Sequence, residues 1–143
     1  MQLTKFSDYG FRVLIYIALL PNGRLANIDE ISDAYGISRN VVNKVVHQLA
    51  RGGIIQTKRG QNGGFKLLKK PEDINVGDVV TLLEPTLNII DCTSPYCKIV
   101  PACRLKHMFK DAGDAFLREL RTFYLSDIIA SERDALQTIL EIE

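Results

Sequence analysis

The sequence predicts a mainly α-helical fold with one small β-hairpin, and three observations carry that expectation. Apolar residues recur at spacings of three and four through most of the chain, as they do in helices that bury one face. Residues 54–68 break this pattern, because two short apolar runs flank Arg59-Gly60-Gln61-Asn62-Gly63-Gly64 and Asn-Gly favours tight hairpin turns. From Arg104 to Tyr124 the apolar positions form one long stripe, which marks a helix that needs a partner.

The elements follow in order. Phe11, Leu14, Ile15, Ala18 and Leu19 predict a first helix over Asp8–Leu20, with Ser7 or Asp8 as its cap and Pro21-Asn22-Gly23 as its end. Asn27, with Glu30 three residues on, predicts a capping box that opens a second helix bearing Ile28, Ile31 and Ala34. A turn at Tyr35-Gly36-Ile37 leads to Ser38, which caps a third helix to Arg51 with Val41, Val42, Val45, Val46 and Leu49 facing inward. Strands are expected at Ile54–Lys58 and Phe65–Leu68. Two short helices joined by a glycine-bearing turn form a helix-turn-helix, and a following basic hairpin makes it a winged helix.

A fourth helix is expected from about Asn75 to Glu84, an irregular segment over 86–103, the long helix over Arg104–Tyr124, and a last helix capped by Ser126 and running toward Leu140. The chain divides accordingly into a winged helix-turn-helix region (1–72), a linker helix with a cysteine loop (73–103), and a long helix with a C-terminal helix (104–143). Leu105, Phe109, Ala112, Phe116, Leu120 and Phe123 make the stripe of the long helix, expected to be the seam of a homodimer.

The chain has 143 residues, 46% hydrophobic and 24% charged, within the range of one ordinary globular domain. No stretch reaches the roughly eighteen apolar residues of a membrane span, and Val13–Leu20 lacks the flanks of a signal peptide, so a cytoplasmic protein with no membrane partner is expected. The net charge of +1 conceals an asymmetry: residues 1–72 hold eleven Lys and Arg against five Asp and Glu, and residues 73–143 hold seven against twelve. A basic half joined to an acidic half suits a chain that meets a polyanion at one end. No nucleophile–base pair, phosphate-cradling glycine loop or paired acid motif stands out, so no enzyme is expected.

A winged helix predicts double-stranded DNA as that polyanion, with the start of the third helix in the major groove. Ser38, Arg39, Asn40, Asn43 and Lys44 are its outward candidates. Arg suits guanine and Asn suits adenine, while Lys44 and Arg51 suit phosphates. Lys58, Arg59, Gln61 and Asn62 lie in or beside the wing, where a cation can enter a narrow minor groove.

Cys92, Cys97 and Cys103 are the only cysteines, spaced C-x4-C-x5-C in the irregular segment. An odd count in a chain read as cytoplasmic argues against a disulfide framework, and zinc sites usually begin with closer pairs and add a fourth Cys or His. Three soft thiolates favour a metal or iron–sulfur site whose remaining position is filled by another group, with Asp8, His47, His107 and water as candidates. A metal carrier or electron-transfer module is the competing class, and the basic N-terminal half argues against it.

Several segments together resemble a known family: Met1-Gln2-Leu3-Thr4 with Asp8-Tyr9-Gly10, the wing Arg59–Gly64, Gly77-Asp78-Val79-Val80 with Glu84-Pro85, and Cys97 to Leu105 with Pro101-Ala102-Cys103-Arg104-Leu105. Over essentially the whole chain the sequence resembles the nitric-oxide-sensing iron–sulfur repressors of the Rrf family of bacterial winged-helix regulators. The resemblance implies a homodimer with crossing long helices, a cluster on the three cysteines, and loss of operator binding when nitric oxide arrives. It also implies that Asp8 of the partner subunit completes the ligand set, with a four-iron cluster (4Fe-4S) preferred over 2Fe-2S. A branch of the family that senses cluster supply uses a histidine three residues after the last cysteine. Lys106 occupies that place here and His107 is displaced by one, so the cluster-supply or redox regulator is the alternative reading.

Overall fold

In the computed structural model, which describes residues 1–143, Thr4 rather than Ser7 or Asp8 caps the first helix, its side chain accepting from the Ser7 backbone N–H, and α1 spans Lys5–Leu19. Ser7 is fully buried and serves a different purpose, since its hydroxyl donates to Glu84 at the far end of another helix. α2 spans Ile28–Tyr35 and carries the predicted capping box, with Asn27 and Glu30 each satisfying the other's backbone N–H. Gly36 ends it in the left-handed region at φ 63°, which explains glycine there. Ser38 caps α3, Arg39–Arg51, whose inward face buries Val42, Val45, Val46 and Leu49.

The wing is β1, Ile55–Lys58, antiparallel to β2, Gly64–Leu67, with Lys58 opposite Gly64 and Ile55 opposite Leu67. Its tip is wider than a two-residue Asn-Gly turn. The Gly63 N–H donates to the Gly60 carbonyl, which puts Gln61 and Asn62 at the centre of the turn. Ala26 exchanges backbone hydrogen bonds with Phe65 at 2.8 and 2.9 Å and so anchors the base of the wing as a one-residue third strand. A Cβ on Gly64 would fall 2.4 Å from the Ala26 carbonyl oxygen, so glycine is required for this approach.

α4 covers Val76–Leu83, and α5 covers Arg104–Leu120. The sequence places the end of the long helix at Tyr124, but three hydrogen bonds remote in sequence stop it earlier. The Asn75 side chain donates to the Arg121 carbonyl, and backbone bonds from Val76 to Phe123 and from Leu125 to Ile74 pull the chain into an extended bridge. Phe123 therefore lies beyond the helical stripe and is exposed. The expected single C-terminal helix is two, α6 at Leu125–Ile129 and α7 at Arg133–Ile139, and Tyr124 rather than Ser126 caps α6, its N–H bonded to Asp127.

One core unites these elements. Val13 and Leu14 of α1, Ile31 of α2, Val42, Val45 and Leu49 of α3, Ile55 and Phe65 of the wing, Val79 of α4 and Leu125 of α6 are all buried in it. Each such aliphatic side chain stabilises the fold by about 1.5–3 kcal/mol on burial. Because α6 returns to this core, the C-terminal end of α5 is fixed to the same body that carries the helix-turn-helix. No helix is long and apolar enough to cross a membrane.

Candidate nucleic-acid interface and cysteine loop

Burying the valine face of α3 turns its other face outward. Ser38, Arg39, Asn40, Asn43, Lys44 and Arg51 are all exposed there, and Lys58, Arg59, Gln61 and Asn62 are exposed on the wing. α3 and the wing thus both present exposed donors on one module. Lys66, Lys69 and Lys70, not singled out from the sequence, are exposed too and extend the basic surface along β2 and beyond it. The sequence also did not reveal that Arg39 forms an ion pair with Asp29 at the start of α2.

The cysteine loop leaves α4 at Glu84 and rejoins helix at Arg104. Asp91 accepts from the Thr93 N–H at 2.8 Å and from its hydroxyl, which folds the chain just after Cys92. The Thr93 hydroxyl and N–H hold the Asp91 carboxyl below its ordinary range. The Cys97 N–H donates to the Cys92 carbonyl at 3.1 Å, so these two cysteines close one tight turn. A single 3-10 turn over Val100–Ala102 then delivers Cys103 to the N-terminal end of α5. All three cysteines are free and half-buried.

As a donor set, three uncommitted thiols within one short loop suit a thiophilic metal or cluster. Their side chains are not gathered, because no group of three or more His, Cys, Asp or Glu converges at metal-holding geometry in the single chain. Asp8 is engaged elsewhere. Arg12 donates to both of its oxygens, Nε to Oδ1 at 3.1 Å and Nη2 to Oδ2 at 2.9 Å, and Lys5 lies 3.8 Å away. The hydrogen bond to Asp8 raises the Arg12 pKa against the opposing effect of burial. Arg12 also sits over the rings of Tyr9 and Tyr35, and burial raises the Tyr35 phenol to about 12, with Arg12 opposing the shift.

Of the two histidines, His47 is exposed on α3. His107 lines an open groove of about 580 Å³ between Leu87–Thr93 and α5, and Cys92 lines the same groove. α5 itself buries no residue in the single chain. Leu105 and Met108 are 54% and 56% exposed, so its N-terminal half is the less covered one. Phe116 and Leu120 are partly covered, and with Met1, Leu3, Phe11, Val76 and Val80 they line an apolar groove of about 320 Å³.

A helix-turn-helix with a basic wing, joined to a helix whose apolar stripe is nowhere fully buried, defines a winged-helix transcriptional regulator. Residues 3–131 match the model of the Rrf2 family, described as iron-dependent transcriptional regulator, and the chain belongs to that family. Solved structures agree on the fold. CymR, the global cysteine regulator of B. subtilis, superposes with a TM-score of 0.71 at 19% identity over 91% of this chain and 97% of its own. IscR of T. potens gives 0.72 at 20% identity over 94% and 90%. The oxidised form of CymR from Staphylococcus aureus gives 0.69 at 23% identity over 87% and 93%. The family is one of transcriptional regulators rather than enzymes.

Proposed function

We propose that this regulator is a nitric-oxide-responsive repressor similar to NsrR. It binds operator DNA as a homodimer with an iron–sulfur cluster on Cys92, Cys97 and Cys103, completed by Asp8 of the partner subunit. One observation carries the reading: three free cysteines lie in a short loop that ends directly on α5 of a winged-helix regulator. The stripe of Leu105, Phe109, Ala112, Phe116 and Leu120, of which no member is buried in the single chain, supports α5 as the seam between two chains, since apolar side chains at helical spacing gain from burial against a second copy.

The chain's own residues do the rest. Arg39, Asn40 and Asn43 address base edges from the exposed start of α3, and Lys44 and Arg51 neutralise phosphates. Lys58, Arg59, Gln61 and Asn62 follow the backbone or the minor groove from the wing. A two-fold dimer must hold its two α3 helices about 34 Å apart, so a small rotation across α5 forfeits both half-sites together. The cluster, when bound, supplies an iron centre that reacts with nitric oxide.

Anaerobic purification with visible spectra, followed by nitric oxide titration while DNA binding is monitored, tests the proposal. A coloured dimer that releases its operator in step with the loss of colour is the expected outcome. Replacing any one cysteine by serine should give a folded, colourless dimer with near non-specific DNA affinity. A second reading, a regulator of cluster supply or redox state, has its own support, since His107 shares a groove with Cys92 while Asp8 is held by Arg12. It predicts that cysteine variants bind DNA as well as the cluster-loaded protein.

A further inference from the structure

α2 opens with two acids, Asp29 and Glu30. In a helix-turn-helix the first helix of the motif crosses the DNA backbone, and a helix N-terminus ordinarily welcomes phosphate through its free N–H groups and dipole. Acids at that place oppose DNA binding unless they serve another end. Glu30 serves one: it accepts from the Asn27 N–H at 2.8 Å and from Arg24 at 2.7 Å, completing the capping box. Asp29 takes no part in the cap. Its partner is the Arg39 guanidinium, the first residue of α3, through Nη1.

Both members of this pair are largely exposed, at 69% for Arg39 and 59% for Asp29, so it adds little to stability. Its consequence is orientation. With Nη1 engaged, the Nε–Nη2 edge of Arg39 remains as a complete two-donor fork, the shape that matches O6 and N7 of guanine. The carboxylate also cancels the charge that would draw Arg39 to the nearest phosphate, which an unpaired arginine at a groove edge contacts without regard to sequence.

We propose that Asp29 is a specificity-determining positioning residue, which holds Arg39 for a base edge and keeps it off the phosphate backbone. The proposal rests on the reading of α3 as the helix that enters the major groove.

The test uses the full-length wild-type dimer to select a consensus duplex from randomised DNA. Affinities for that duplex, its single-base variants and a scrambled duplex are then measured across a range of salt. Wild type, Asp29→Asn, Asp29→Ala, Arg39→Ala and the Asp29→Asn/Arg39→Ala double variant are compared. The intact Asn27–Glu30 capping box should keep the Asp29 variants folded, and thermal melting checks this.

Both Asp29 variants should lose at least about fivefold of the base preference at the position that Arg39→Ala also relaxes. Scrambled-duplex affinity should rise, and the log–log salt slope should steepen by about 0.9, one further phosphate. The double variant should match Arg39→Ala. Full base preference in both Asp29 variants, with Arg39→Ala impaired, overturns the proposal alone. Full base preference in Arg39→Ala overturns it together with the assignment of Arg39 to base reading.

Discussion

Glu84 offers the sharpest test of how the start of α1 is held. One oxygen of its carboxylate accepts three hydrogen bonds, from the Ser7 hydroxyl at 2.5 Å, the Thr4 N–H at 2.8 Å and the Thr4 hydroxyl at 3.0 Å. Burial alone would raise the carboxyl's pKa, but the donors from Ser7 and Thr4 outweigh it and hold the value below 4.5. Glu84→Gln keeps an acceptor oxygen in place and removes only the charge. Hydrogen bonds to charged acceptors contribute about 1.5–3 kcal/mol against about 0.5–1.5 for neutral ones, so with the three sharing one partly screened oxygen the cost should be about 1 kcal/mol. Glu84→Ala also strips the buried Ser7 hydroxyl of its acceptor and should cost about 2–3 kcal/mol. A group with a depressed folded pKa contributes stability above its unfolded value and loses it as pH falls through the folded value. The gap between wild type and Glu84→Gln should therefore be full at pH 6–7 and close as pH drops below 4.5. Urea unfolding at fixed protein concentration measures it. A gap that does not change with pH, or a Gln variant as unstable as Ala, would refute the charge-assisted account.

Phe116→Asp should give folded monomers with poor operator binding, read by sedimentation, and a variant that stays dimeric would return the α5 stripe to packing within one chain. Arg39→Ala should weaken operator binding by about 1–3 kcal/mol and relax one base position, whereas Lys44→Ala should weaken all duplexes alike, as competition binding would show. Asp8→Ala should leave a visible cluster spectrum on the three cysteines while altering DNA affinity and the nitric oxide response, and loss of all colour would give Asp8 a larger part in holding the cluster.

What the sequence disclosed about the fold was local chemistry. Asn27 with Glu30 and Ser38 declare two helix starts, because caps are built from residues three apart, and Gly36 declares a helix end through its left-handed backbone. Errors arose wherever a distant residue decides the outcome. Thr4 caps α1 locally, whereas Ser7, the cap expected from the sequence, is turned to Glu84 at the far end of α4. The end of α5 and the start of α6 follow from a bridge to Ile74 and Asn75, some fifty residues earlier. The candidate site divides the same way. Which residues of α3 face outward was legible from periodicity, and Asp8 and Arg12, four apart on one helix, stand at the spacing where opposite charges meet, but the pairing of Arg39 with Asp29 was not legible, since it joins two different helices ten residues apart.

α5 joins the cysteine loop to the winged-helix module. Its N-terminal end begins where Cys103 stands, and its C-terminal end is fixed to the reading module by Asn75 on the Arg121 carbonyl, by Asp78 on the Arg121 guanidinium at 3.2 Å, and by Leu125 in the core. Seventeen helical residues span about 26 Å. The approach of α4 to α5 is close as well, because Gly77 lies where a Cβ would meet Arg121 Cγ at 2.5 Å and the Leu117 carbonyl oxygen at 3.2 Å. α4 in turn holds α1 through Glu84, and Asp8 lies in the first turn of α1. Loop, α5, α4 and α1 thus follow one another in a series of contacts, at whose end the Asp8 carboxylate is held by Arg12. Under the proposed function, ligation by Asp8 of the partner subunit requires that carboxylate to leave Arg12. The state of the loop in one chain is then read at the first helix of the other, and the geometry of both α3 helices follows from a single exchange of partners.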